Sequence, residues 1–317
     1  MEIIRGNYNL KPKHRGSVVT IGNFDGVHKG HQAVINRLNK QAQHLSVPAC
    51  VITFEPLPHE YFAHQKETTR LTRFREKARL FEKLGIDLLV ILRFCRKLAD
   101  LPPETFVDDI LHQGLGTQHL IVGDDFRFGK QRTGDFAFLQ QAGAQYGFGV
   151  ESTQTYQMDG QRVSSTRIRA LLEKADFKNA ATLLGRPFSI SGRVTYGNQL
   201  GRTLGFPTAN IALKHRNVPL RGVFAVHVVD EQKTVYEGMA NIGTRPTIGG
   251  EKQLLETHLF NCQHDLYDQH LEIVFRHKIR EERKFKGLNE LSDALRQDKQ
   301  DALEFFKKHH FKASPHK

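Results

Sequence analysis

Gly22-Asn23-Phe24-Asp25-Gly26-Val27-His28-Lys29-Gly30-His31 is the stretch on which the reading of this chain turns. Just before it, Val18-Val19-Thr20-Ile21 is apolar and β-branched, which predicts a strand. Just after it, Val34, Ile35, Leu38 and Ala42 recur at helical spacing and predict a helix over His31–Leu45. The stretch therefore joins a strand to a helix. Gly22, Gly26 and Gly30 permit tight turns and close approach of backbone to a ligand. A helix N-terminus offers free N–H groups and the positive end of a dipole to an anion. His28 and His31 are spaced to share one face of a helical turn. Two imidazoles at such a place suit a phosphate that gains charge in a transition state.

The same alternation continues outward. Ala49–Phe54, Asp87–Leu92 and His119–Val122 read as strands, and Phe74–Leu84, Phe106–Leu111 and Phe136–Tyr146 as helices. A repeated strand-then-helix order predicts a Rossmann-like α/β domain, a parallel sheet with helices on both faces. Ligands in such sheets sit beyond the strand C-termini.

The pattern changes near Gly185-Arg186-Pro187. Beyond it, Ser189–Tyr196, Val223–Asp230, Thr234–Asn241, Leu254–Phe260 and Leu271–Phe275 are strand candidates separated by turns. Their spacing predicts a small antiparallel β-barrel. A long helix, Leu288–His310, follows. The expected domains are therefore 1–184 and 185–317.

Composition narrows the classes. Hydrophobic residues make up 39% and charged residues 25% of 317, which predicts a soluble globular protein. There is no apolar run of about 18 residues, so no membrane span is expected. Cys50, Cys95 and Cys262 stand far apart with no CxxC pair. That argues for the cytoplasm and against a cysteine zinc site or disulfide framework. The net charge of +12 raises a nucleic-acid reading, but the basic residues are dispersed and match no zinc-finger, RNP or basic-zipper pattern. The excess is read as serving anionic substrates. Gly123–Lys130 imitates a P-loop, but five residues separate its glycines and Gln131 stands where Ser or Thr is required.

The Gly22–His31 run resembles the HxGH nucleotidylyltransferases, specifically the FMN adenylyltransferase half of bacterial bifunctional riboflavin kinase/FAD synthetases. Three further runs resemble that family in order: Thr53-Phe54-Glu55-Pro56-Leu57-Pro58-His59-Glu60, Gly123-Asp124-Asp125-Phe126-Arg127-Phe128-Gly129 and Ser164-Ser165-Thr166-Arg167-Ile168-Arg169. Ser164, Ser165 and Thr166 offer hydroxyl and backbone donors near a predicted helix start. Arg169 can clamp phosphate oxygens, and Asp125 can orient a ribose or a metal-bound pyrophosphate. The resemblance implies a nucleotide site comprising Gly22, Asn23, Phe24, Asp25, Gly26, Gly30, Asp125, Ser164, Ser165, Thr166 and Arg169, with His28 and His31 catalytic.

The second half carries Gly197-Asn198-Gln199-Leu200-Gly201-Arg202-Thr203-Leu204-Gly205-Phe206-Pro207-Thr208-Ala209-Asn210. A glycine-rich, arginine-containing loop can fold over phosphates, which points to Gly201, Arg202, Gly205 and Pro207. The Thr hydroxyl and Asn amide that follow are hard oxygen donors suited to Mg²⁺. Downstream, Glu256 in Leu255-Glu256-Thr257-His258 is a candidate general base. These runs resemble riboflavin kinase. The resemblance implies that Thr208 and Asn210 hold Mg²⁺ and the phosphates of ATP, and that Glu256 takes a proton from the ribityl 5′-hydroxyl. Riboflavin, FMN and FAD become the substrates and products, with ATP as co-substrate. Three rivals remain: a single-activity adenylyltransferase, which would lack the second motif; an aminoacyl-tRNA synthetase relative, whose lysine-rich signature is absent; and a nucleic-acid-binding barrel with a vestigial first domain. The sequence leaves the oligomeric state open.

Overall fold

The computed structural model describes residues 1–63, 69–196, 205–213, 217–247, 250–262 and 266–309. Two compact units emerge. Met1–Thr68 and Thr72–Ser165 form the first, and Thr69–Leu71 with Thr166–Lys317 the second.

The first unit is built on a parallel sheet. Its strands are β1 (Glu2–Arg5), β2 (Val18–Ile21), β3 (Ala49–Phe54), β4 (Leu88–Leu92), β5 (His119–Gly123) and β6 (Gly149–Thr153), in the order β1-β4-β3-β2-β5-β6. Its helices are α1 (Lys29–Leu45), α2 (Pro58–Phe62), α3 (Phe74–Lys83), α4 (Arg96–Ala99), α5 (Pro103–Phe106) and α6 (Phe136–Tyr146). Neighbouring residues on a strand face opposite sides, and the apolar runs fill both. Val18, Val51, Leu89 and Ile121 pack with Ile35, Leu38 and Phe81 of α1 and α3. Val19, Ile52, Val90 and Leu120 pack with Phe106, Ile110 and Leu139 on the other face. β2 and β4 are buried throughout, as strands covered on both faces must be.

Three details differ from the periodicity. α1 begins at Lys29, two residues early, because His28 is its N-cap. The helical stretch expected at Phe106–Leu111 is α5 running into a π-helix, Val107–Gly114. The edge strands β1 and β6 have no counterpart in the apolar pattern: only Ile4 of β1 is buried, and no residue of β6 is. A hairpin of β7 (Gln157–Met158) and β8 (Gln161–Arg162) closes the unit, ahead of α7 (Ser165–Glu173).

The second unit holds α8 (Phe177–Leu184) and a closed antiparallel barrel. The barrel strands are β9 (Ser189–Thr195), β10 (Ala209–Ile211), β11 (Gly222–Val229), β12 (Val235–Thr247), β13 (Gly250–Leu259) and β14 (His270–Arg280), in the order β10-β13-β12-β11-β14-β9. Pairing of β9 with β10 completes the ring. The helix expected at Leu288–His310 is α9, Leu288–Lys308. Ala302 and Phe306 of α9 pack on Ala225, Met239 and Phe260. Arg280 clamps the buried Asp298 of α9 with two bonds, 2.7 and 2.8 Å. At another point Phe177 of α8 stacks on Phe275 and meets Phe224 edge-on, all three rings buried or nearly so.

Candidate functional site

The loop after β2 is held by partners from outside it. Asp25, nearly fully buried, accepts from the N–H (3.1 Å) and hydroxyl (3.3 Å) of Thr72. Gly26 donates its N–H to the Thr72 hydroxyl at 2.9 Å, and Ser165 donates its hydroxyl to the Asp25 carbonyl at 2.8 Å. These anchors support an unusual backbone. Gly26 has φ 86°, which glycine tolerates, but Phe24 (49°) and Val27 (41°) adopt positive φ too. A β-branched residue there is strained, by about 1–3 kcal/mol. Phe24 and Val27 are both core residues, so packing offsets the strain.

The two histidines follow directly. His28 caps α1, its Nδ1 accepting from the His31 N–H at 3.3 Å. The rings stack with centroids 3.6 Å apart and planes 16° apart, and Phe24 meets His31 edge-on at 5.1 Å. A Cβ at position 30 would come within 3.2 Å of the His28 ring, so glycine lets that imidazole lie against the helix. Burial holds the His31 pKa well below the usual value, and the charges of His28, Lys77 and Arg162 push it the same way. His31 is therefore neutral at pH 7. Its Nδ1 is buried with no hydrogen-bond partner among the described residues.

A cavity of about 570 Å³ opens beside Gly22 and Asn23. Its walls come from the loops after β2, β3, β4 and β5, as expected at the C-terminal edge of a parallel sheet. They are largely aromatic: Phe54, Phe62, Phe94, Phe106, Phe126 and Phe128. Phe126 and Phe128 stack at 5.6 Å. Asp125 also lines the cavity and accepts from Arg162 at 2.6 Å. Sequence reading singled out Asp125 but not this wall. The available signal was the phenylalanine at or just past the ends of β3, β4 and β5. Ser164 precedes α7, while Thr166 and Arg169 lie on the part of α7 that belongs to the second unit.

In the barrel, strand register creates the constellation. Asn210 of β10 is directly opposite Glu256 of β13, and Glu256 is directly opposite Asn241 of β12. Opposed residues on paired strands share a face, with Cβ atoms about 4.5–5.5 Å apart. Three polar side chains thus stand in a row across three strands. The turn before β10 is fixed by His258, whose Nδ1–H donates to the Pro207 carbonyl at 2.8 Å. Burial lowers the His258 pKa, so the ring is neutral and can keep that tautomer. Gly205 has φ 81°, and Thr208 is half-buried just before β10. Gly201 and Arg202 lie outside the described residues. A Cβ at Gly243 would collide with the Glu282 carboxylate, so glycine admits a second acid beside Asn241. The row also adds Asn241, whose alignment with Glu256 depends on pairing that sequence does not display.

No group of three or more His, Cys, Asp or Glu side chains among the described residues could hold a metal. The Thr208 hydroxyl and Asn210 amide are a sparse set of hard oxygens. That fits Mg²⁺, which completes its shell with phosphate and water oxygens.

Comparison with known proteins identifies the family of each half. A family model described as FAD synthetase matches residues 10–167, and one described as riboflavin kinase matches 184–306. The bifunctional riboflavin kinase/FMN adenylyltransferase of Pseudomonas fluorescens is 51% identical over 300 residues, covering 94% of this chain and 96% of the relative. Its namesake in Escherichia coli K12 is 47% identical over 307 residues, covering 96% and 98%. The chain belongs to this bifunctional family. As a riboflavin kinase/FMN adenylyltransferase it makes FMN and FAD. The second half thus carries a kinase without a P-loop, and the rival readings with one activity or none fall away. A solved structure described as a macrolide-efflux protein from Streptococcus pneumoniae shares the architecture, with a TM-score of 0.79 and 28% identity over 96% of this chain and 99% of the other. In the present family member, no helix among the described residues is long and apolar enough to cross a membrane.

Proposed function

We propose that the two reactions are divided between the two constellations, riboflavin phosphorylation at Thr208, Asn210 and Glu256 and FMN adenylylation at the Gly22–His31 loop. The observation that carries this reading is that His28 and His31 fall in one compact unit and Asn210 and Glu256 in the other. In the kinase step, the ribityl 5′-hydroxyl attacks the γ-phosphorus of ATP, its proton passes to Glu256, and ADP leaves. Glu256 stands beside Asn210 on the barrel, where a hydroxyl poised at the nucleotide comes within its reach. Thr208 and Asn210 would hold Mg²⁺, which would supply positive charge to neutralise the phosphates of ATP. Residues 185–317 would form the kinase domain and 1–184 the adenylyltransferase domain.

In the second step, an FMN phosphate oxygen attacks the α-phosphorus of another ATP and pyrophosphate leaves. The aromatic cavity suits a flat, apolar ring system such as isoalloxazine. Gly22 and Asn23 of its wall belong to the loop that runs into the N-terminus of α1, which suits the phosphates. His31, neutral at pH 7, donates a hydrogen bond from its N–H to the charge developing on the phosphates and carries no positive charge itself. Asp125, Ser164, Ser165, Thr166 and Arg169 are assigned to the nucleotide by resemblance, as are Gly201, Arg202, Gly205 and Pro207 in the kinase. The well-spaced free cysteines favour the cytoplasm. Incubation with riboflavin and MgATP, followed by chromatography of the flavins, tests the reading: FMN appears first and FAD accumulates from it. FAD without an FMN intermediate would contradict the order.

A further inference from the structure

Lys77 is among the most completely buried side chains in the protein, although it carries an ammonium group. Removing such a charge from water costs several kcal/mol unless oxygen atoms replace the lost hydration. The Asn23 carbonyl and the Thr53 hydroxyl supply two such oxygens, each 3.0 Å from Nζ. The Thr53 hydroxyl also points to the Asn23 carbonyl, at 3.4 Å. Helix α3 thus reaches beneath the loop after β2 and grips one particular peptide bond.

That peptide is planar, so its N–H points opposite to its carbonyl. With the Asn23 carbonyl drawn inward, the Phe24 N–H is turned outward. It has no hydrogen-bond partner among the described residues. Asn23 itself is exposed and lines the cavity. We propose that Lys77 is a positioning residue for FMN adenylylation, its buried ammonium holding the Asn23–Phe24 peptide so that the Phe24 N–H faces the reacting phosphates. This rests on the assignment of adenylylation to the Gly22–His31 loop. His28, Lys77 and Arg162 each lower the proton affinity of His31.

The test compares Lys77→Met, Thr53→Val and His31→Ala in the full chain, assaying FMN to FAD and riboflavin to FMN separately, with thermal unfolding to monitor the fold. Lys77→Met should lower kcat for adenylylation about 100-fold, the effect of losing one preorganised donor, and leave riboflavin phosphorylation unchanged. The limb of the pH–rate profile that reports His31 should move to higher pH, because a neighbouring positive charge is gone. A merely structural role would lower the unfolding midpoint and raise the KM for ATP along with the loss of kcat, instead of lowering kcat alone. A folded Lys77→Met enzyme with unchanged kcat, or a slowed one with an unmoved pH profile, overturns the proposal. If Lys77→Met does not fold, Thr53→Val decides: a several-fold loss of kcat with little change in the KM for ATP supports it, and wild-type kcat overturns it. His31→Ala separates the two levels, since retained FAD synthesis there would sink the underlying site assignment and not the Lys77 inference alone.

Discussion

The first unit places its histidines at a junction between a strand and a helix, whereas the barrel places Asn210, Asn241 and Glu256 on strands. A loop has no ladder to define it, so this one is held by Thr72, Thr53, Lys77 and Ser165, drawn from elsewhere in the chain. In the barrel the hydrogen-bond ladder itself spaces the side chains, and the external anchor is His258 on Pro207. The lesson is that the first site depends on side-chain anchors and the second on ring closure. The two should therefore fail in different ways.

The sharpest way to break the comparison is His31→Ala with His28→Ala. FMN to FAD should fall by about 10³-fold or more, since charge stabilisation by preorganised donors is typically worth this order, while riboflavin to FMN proceeds. Quantifying both flavins by chromatography checks it, and residual FAD synthesis near wild type would remove the first site. Glu256→Gln is the mirror image. Loss of a general base should slow the kinase about 10²- to 10⁴-fold, with FMN supplied directly still converted to FAD. Equal failure of both reactions in a folded protein would contradict the division.

Two stability measurements sharpen the contrast further. A fragment beginning at Gly185 omits α8 and leaves Phe224 and Phe275 without the Phe177 ring. A fragment beginning at Thr166 keeps it and should be more stable by about 3 kcal/mol, the usual cost of losing a buried phenylalanine. Urea unfolding of each resolves the difference, and equal midpoints would show that α8 adds nothing to the barrel. The smaller effect concerns pH. His227 is buried against Phe306 of α9, accepts from Arg276 Nε at 3.0 Å, and is pushed by burial down to about 4. The unfolded chain takes up this proton near pH 6.5 and the folded chain only near 4. The stabilising contribution is therefore complete above pH 6.5 and lost as pH falls through that window, at most about 3 kcal/mol. Thermal unfolding of the Thr166 fragment from pH 7 to 4.5 should show the decline, and His227→Gln should flatten it.

The pattern of success in reading the sequence follows the same contrast. The buried central strands and long helices announce themselves by period, and Ala49–Phe54 and Phe136–Tyr146 have the expected bounds. The His28–His31 pair was legible because its geometry is local, one helical turn. β10 was not, because three residues preceded by a proline-containing turn carry too little periodicity, yet this strand brings Asn210 to Glu256. The alignment of Asn241 with Glu256, the role of Lys77 and the aromatic cavity were hidden for a related reason. Each acquires its meaning from a partner distant in the chain, and only topology reveals which partner. Lys77 in particular reads as a solvated helix cation until α3 is docked beneath the loop.

Closure of the barrel has a consequence for handling the protein at high concentration. Among the described residues, a closed ring of six strands has no terminal strand on which a second molecule could add another. The parallel sheet ends at β1 and β6, so among the described residues the terminal strands of the two large sheets lie in the first unit. Both termini of that sheet carry deterrents. β1 is short and places exposed Glu2 and Arg5 on either side of its apolar pair, with Lys13 bonded to Glu2 at 2.9 Å. β6 places Glu151 at its centre, bonded to Arg37 at 2.8 Å. Neutralising Glu2 and Glu151 together would leave the chemistry alone and strip these guards, so the cost would appear as turbidity on storage and not as lost turnover.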